Sequence, residues 1–277
     1  MNHFFQHKSH LGPLILVFTL LFMAIVGPYF LHYDPNAIDL PNRLLPSSTQ
    51  HWLGTDHLGR DTFTRLVEGA RTSLSAVACA IALIICIGVT TGTVAGLMGG
   101  KVDATLMRIT DIFLTFPTMI LALFLVAVLG TGITNVIIAI ALSHWAWYAR
   151  LVRSIVLAQR NSDFILAARL SGNQGFGLFK DHFMSPIISQ LIVLATMDIG
   201  HMMLHVAGMS FLGLGVKAPT PEWGVMISDA RQYIWTHPSL MFWPGLALFV
   251  SVVAFNWLGD ALRDHLDPYL QLEHVHS

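Results

Sequence analysis

The side chain whose placement demands chemistry is Asp198, a carboxylate in the middle of an apolar run from Ile187 to Gly208. An unpaired Asp at the centre of a membrane-spanning helix costs roughly 2.5–3.5 kcal/mol, so it must meet a partner or water. At about 100° per residue, with Asp198 at zero, His201 falls near −60°, His205 near −20°, Met202 near +40° and Met209 near +20°. These side chains can all hydrogen-bond or touch a metal, and they share one stripe roughly 100° wide. Two roles fit it. One is interhelical hydrogen bonding that holds a bundle together. The other is the lining of a path for a metal ion or its chelate, since imidazole suits Ni(II). In a path, the contacts of His201 and His205 would be transient, because a full set of protein ligands would trap the ion. His144, in the preceding apolar segment, is a further candidate for the same lining.

Two enzymatic readings fail on residue identity. His201-Met-Met-Leu-His205 has the spacing of a zinc-protease helix, but that motif needs Glu beside the first His as general base, and position 202 is Met. The glycine series Gly92, Gly96, Gly99, Gly100 ends in Lys101, yet a phosphate loop needs Gly where Ala95 stands and Ser or Thr where Val102 stands. These glycines suit close helix packing and a tight turn instead.

Composition sets the class. Of 277 residues, 54% are hydrophobic and only 11% charged, with mean hydropathy +0.63. Soluble domains carry about 25% charged residues, so this is an integral membrane protein in contact with lipid, and apolar runs long enough for spanning helices make it all-α. A net charge of −1 gives no reason to expect nucleic-acid binding. The two cysteines, Cys79 and Cys86, share one helix face about 10 Å apart, too far to pair, and read as packing residues. Histidines cluster at both ends of the chain (His3, His7, His10; His274, His276), where they can be incidental.

Six spans are predicted, at 11–31, 72–98, 106–129, 135–157, 187–208 and 240–258. The first lacks the small-residue cleavage site of a signal peptide and reads as a retained helix. Residues 32–71 form an outer loop with an amphipathic piece, Thr62 to Ala70, and a charge network of Asp56, Arg60 and Asp61. Pro117 predicts a kink in the third span. A surface helix is expected over Trp223 to Trp235. No internal repeat or second domain is visible, so residues 1–277 read as one domain. Residues 158–186 make a polar loop between spans four and five. Ser162 and Gly172 there bracket a short helix as N-cap and C′ residues, and a second helix, Phe176 to Phe183, should stop before Pro186. Both termini and this loop are placed in the cytoplasm. Lys8, Lys101, Arg108, Arg150, Arg153, Arg160, Arg169, Lys180 and Arg263 then fall inside, the bias expected of such proteins.

The loop resembles the cytoplasmic coupling loop in membrane-spanning subunits of binding-protein-dependent ABC importers. Ala167, Ala168 and Gly172 match that pattern, Leu166 stands where the family has Glu, and Pro186 lies one position late. Leu53-Gly-Thr-Asp-His-Leu-Gly-Arg-Asp61, Ser210-Phe-Leu-Gly-Leu-Gly215, Pro219-Thr-Pro-Glu-Trp-Gly224 and Gly259-Asp-Ala-Leu-Arg-Asp-His-Leu-Asp-Pro268 are similar to elements of its peptide/nickel class, nearest the nickel branch. The resemblance implies a type I permease fold in a bacterial inner membrane. It also implies a second permease chain, two ATPase subunits and a periplasmic or lipid-anchored binding protein. ATP and Mg would be held by the ATPases, leaving this chain without a cofactor and without catalysis. Ala167, Ala168, Arg169, Gly172 and His182 would carry the ATPase coupling. Cargo would be nickel, as ion or chelate; the alternative is a dipeptide or oligopeptide.

Overall fold

The computed structural model describes residues 11–173 and 175–266. The His-rich ends, and Asp267 and Pro268 of the closing motif, lie outside the described residues. Ten α-helices occur there: α1 Leu11–Ile25, α2 Thr62–Met98, α3 Gly100–Thr115, α4 Thr118–Leu129, α5 Ile133–Arg160, α6 Asp163–Leu170, α7 Gly175–Leu178, α8 Met184–Phe211, α9 Trp223–Ala230 and α10 Ser239–Leu266. No β-strand forms among the described residues; a single antiparallel bridge joins Thr55 to Asp61.

The architecture is the expected all-α one, with differences in its spans. Four segments are long and apolar enough to cross a membrane: α2, α5, α10 and the stretch Gly175–Phe211 that contains α8. α3 and α4 together make a fifth only as a broken pair, bent by 93°. The kink expected at Pro117 is thus a full break, because Pro117 itself leaves the helical region as the N-cap of α4. α1 is shorter than its predicted span: Pro28 sits in a 3₁₀ turn, Gly27–Phe30, that ends the run.

α2 absorbs the amphipathic piece that was expected to lie apart from it. Asp61 caps the helix by accepting from the Thr64 amide at 2.7 Å, and 37 residues follow without a break. At about 1.5 Å per residue that is roughly 55 Å, longer than the hydrocarbon layer alone requires. Gly88, Gly92 and Gly96 recur on one face of α2 and let α5 lie directly against it. A Cβ on Gly92 would stand 2.8 Å from Val152 Cβ, and one on Gly96 2.7 Å from Val156 Cβ. This is the close packing their spacing suggests. Gly99, at φ +65°, then makes the turn into α3. Because the glycine face is the buried one, Cys79 and Cys86 emerge exposed, which corrects their reading as packing residues.

Two further expectations change. α9 is no surface helix: Trp223, Gly224, Val225 and Met226 are buried. Gly69 leaves room for the Trp223 ring, whose Nε1 donates to Leu66 O at 3.0 Å, and Gly224 lies against the backbone of Ala207. The second loop helix also does not stop before Pro186. A π-turn, Phe179–Phe183, runs straight into α8. Pro186 then falls in the first turn of α8, where a wide turn has already reset the hydrogen bonding that its ring would otherwise break.

Candidate functional site

Asp198 is buried, and its partners come from α5. Tyr148 donates its hydroxyl to Asp198 Oδ2 at 2.8 Å. His144 Nε2 meets the same oxygen at 3.1 Å. The other oxygen, Oδ1, faces His201 Nδ1 at 3.7 Å, an ion-pair distance beyond hydrogen-bond reach. The cost of a carboxylate in the middle of α8 is met here by two donors from one neighbouring helix.

The predicted stripe divides. Met202 and Met209 are fully buried and pack in the core. His205 is half-buried. The His201 side chain is 69% exposed on the chain's own surface, although it stands in the middle of a spanning helix. An imidazole there cannot be left to lipid. His144, the further candidate from the preceding apolar segment, is in direct contact with the carboxylate. Its other nitrogen, Nδ1, is buried and unpartnered among the described residues. Tyr148 was not singled out by sequence; its signal was the spacing of four from His144, which puts both side chains on one helix face. Among the described residues no three His, Cys, Asp or Glu side chains converge as a metal cage.

A second cluster ties the loop before α2 to α2 and α9. Arg60 Nε binds Asp56 Oδ2 at 2.7 Å, and Arg65 Nε approaches the same oxygen at 3.5 Å. Arg60 also reaches Asp229 at 3.6 Å. Arg65, which is 2% exposed, donates from Nη1 to Pro35 O at 2.8 Å and to Pro219 O at 3.2 Å. Glu222, fully buried, accepts from Ser73 Oγ at 2.9 Å and from the Val225 amide at 3.1 Å. Asp61 pairs with His51 at 2.8 Å. Asp56 and Arg60 thus pair as expected, in a buried network that widens to Arg65 and Asp229, whereas Asp61 stands apart from it, paired with His51 and capping α2.

At the α6 end the backbone does what Gly172 suggested. Asn173 N donates to Ala168 O at 3.0 Å and Gly172 N to Arg169 O at 3.1 Å, the paired bonds of a Schellman stop. Gly172 sits at φ +87°. Ser162 takes the N-cap position, but its hydroxyl donates back to Gln159 O at 2.7 Å instead of capping. Ala167 and Arg169 are exposed and Ala168 half-buried. Around them stands a patch of apolar side chains open to solvent: Phe164, Leu166, Phe176 and, at 90% exposure, Leu170. The His182 ring lies against Phe164 with centroids 6.0 Å apart. Leu166, 45% exposed, adds to this apolar surface.

Comparison with known proteins finds relatives along the whole chain. The family of binding-protein-dependent transport system inner membrane components matches residues 88–271. The N-terminal transmembrane domain of oligopeptide transport permease C matches residues 1–46. The chain is 63% identical over 277 residues, all of both chains, to the nickel transport system permease protein NikC of Escherichia coli (strain K12). It is 39% identical to the metal-staphylopine import system permease protein CntC of Staphylococcus aureus (strain NCTC 8325 / PS 47), covering 97% of this chain and 93% of that one. Among solved structures, the inward-facing MetNI methionine ABC transporter matches with a TM-score of 0.60 at 18% identity, over 74% of this chain and 97% of that chain. That likeness speaks to the fold, the type I permease arrangement of helices. The chain belongs to the family of inner membrane components of binding-protein-dependent transport systems.

Proposed function

We propose that this chain is a permease subunit of an ATP-driven importer that carries nickel, as ion or chelate, across a bacterial inner membrane. The observation that carries the reading is full-length identity of 63% to a nickel transport permease. The Asp198–His144–His201 cluster supports it, offering a carboxylate and imidazoles in mid-span. Six crossings, with α1 and the α3–α4 pair each counted as one, leave both termini on the same side as residues 158–186, and this reading assigns that side to the cytoplasm.

The chain does no covalent chemistry. ATP and Mg belong to two ATPase partners, a second permease chain completes the pathway, and an external binding protein delivers cargo. Ala167, Ala168, Arg169, Gly172 and His182 form the surface that receives the ATPase, and the exposed Leu170 and Phe176 supply its apolar contact. ATPase closure and opening then bias a two-state arrangement of the helices. Cargo passes beside Asp198, His201 and His205, with His144 behind the carboxylate. Met202 and Met209 hold the packed side of α8 and support this face from within.

A dipeptide or oligopeptide cargo is the second reading, favoured by the match of residues 1–46 to an oligopeptide permease domain. Labelled nickel and labelled dipeptide, offered to a strain lacking this chain and to the complemented strain, separate the two. Complementation that restores dipeptide uptake and no nickel uptake rejects the nickel reading.

A further inference from the structure

We infer that Tyr148 is a positioning residue for Asp198: with His144 it holds one carboxylate oxygen and leaves the other turned to His201 as the free half of a contact for cationic cargo. The inference rests on reading the α5–α8 cluster as a transport path. Both fixed bonds, from the Tyr148 hydroxyl and from His144 Nε2, end on Oδ2. Oδ1 looks instead toward His201 Nδ1 across 3.7 Å. With metal–ligand bonds of about 2.1 Å, donors about 120° apart stand roughly 3.6 Å from each other. The gap between Oδ1 and Nδ1 therefore suits a cation held between them, and two donors alone would release it again.

The chemistry of the phenol matters. A Lys or Arg in its place would orient the carboxylate and also cancel its charge. A tyrosine hydroxyl donates without bringing charge, so Asp198 stays able to attract a cation. The phenol is itself fixed: Tyr148 is fully buried, and its Cβ faces Gly88, where an added Cβ would stand 2.5 Å away. Without the hydroxyl, the carboxylate would be held at one point only. It could then swing onto His201 and close the contact against cargo.

The test compares wild type, Tyr148→Phe, Asp198→Asn and the double variant as whole complexes in proteoliposomes with the binding protein. It reads nickel moved per ATP hydrolysed. Tyr148→Phe keeps the ring, so complex yield and binding-protein-stimulated hydrolysis should hold while nickel per ATP falls about tenfold, the weight of one hydrogen bond to a charged group. Asp198→Asn should fall at least as far. The double variant should be no worse than Asp198→Asn, because Tyr148 acts through that carboxylate. Wild-type transport in Tyr148→Phe, multiplying losses in the double variant, or a loss of assembly as large as the loss of transport would each overturn the inference. If the wild-type complex moves labelled dipeptide and no nickel, the nickel reading fails by itself. The same four proteins are then compared with the dipeptide, whose ammonium is also a cation, and non-multiplying losses still uphold the role of Tyr148.

Discussion

Gly92 of α2 faces Val152 of α5 so closely that a Cβ on the glycine would stand 2.8 Å from the valine Cβ. Neither helix can yield alone, since Gly88 and Gly96 repeat the contact one turn away on each side. Gly92→Leu should therefore destabilise the chain by about 1–3 kcal/mol or more, as overpacking does. Thermal unfolding of the purified complex in detergent checks this, with Gly245→Ala in α10, which meets nothing within 4 Å, as a comparison for space alone. Equal melting of Gly92→Leu and wild type would show that the helices are further apart than described.

Arg65 is the pin between the loop before α2 and the loop before α9. It joins Pro35 and Pro219, from two separate loops, while standing 3.5 Å from Asp56. Removing one partner of a buried charge network costs about 3–5 kcal/mol, because the remaining charge is left unpaired. Arg65→Ala should lower the amount of folded protein in the membrane, and Arg65→Lys should not restore it, since one ammonium cannot reproduce the guanidinium fork. Protein level after mild-detergent extraction is the readout.

These contacts show what the sequence made legible and what it hid. The glycine spacing in α2, the Gly172 stop and the Asp56–Arg60 pair are local patterns, and each is found as expected; Asp61, expected in the same network, pairs with His51 instead. Contacts between distant segments carry no such pattern. Arg65 and Pro219 are 154 residues apart, and Tyr148 and Asp198 are 50 apart. Helical periodicity put Asp198, His201, Met202 and Met209 on one stripe but could not say which edge meets the core. Met202 and Met209 took the packed side and His201 the open one. The same limit explains α9, whose Trp223 is buried because Gly69 makes room for it from another helix.

The coupling surface can be tested without disturbing the fold. Leu170 is 90% exposed, so Leu170→Ser should leave membrane insertion unchanged. If its side chain sits in an ATPase groove, copurification of the ATPase should fall several-fold. Gly172→Val should do the same through the backbone, since φ +87° is strained for a β-branched residue. Normal copurification and normal uptake in both variants would remove this surface from the coupling role.

Topology is open to single-cysteine labelling. Cys79 and Cys86 are exposed and must be replaced first. A membrane-impermeant thiol reagent applied from outside should then reach a cysteine at position 50 and miss one at position 175. The opposite result would invert the chain in the membrane.

The central claim is that nickel passes beside the carboxylate and imidazoles of α8. Its most direct measurement is labelled-nickel uptake divided by the amount of assembled complex, for wild type, His201→Ala and His205→Ala. His201 is exposed on the chain surface and contributes little to packing, so its variant should assemble normally and lose most of its uptake; His205→Ala should lose uptake beyond any loss of protein. Wild-type uptake per assembled complex in both variants would make the cluster a structural one and send the metal along another route.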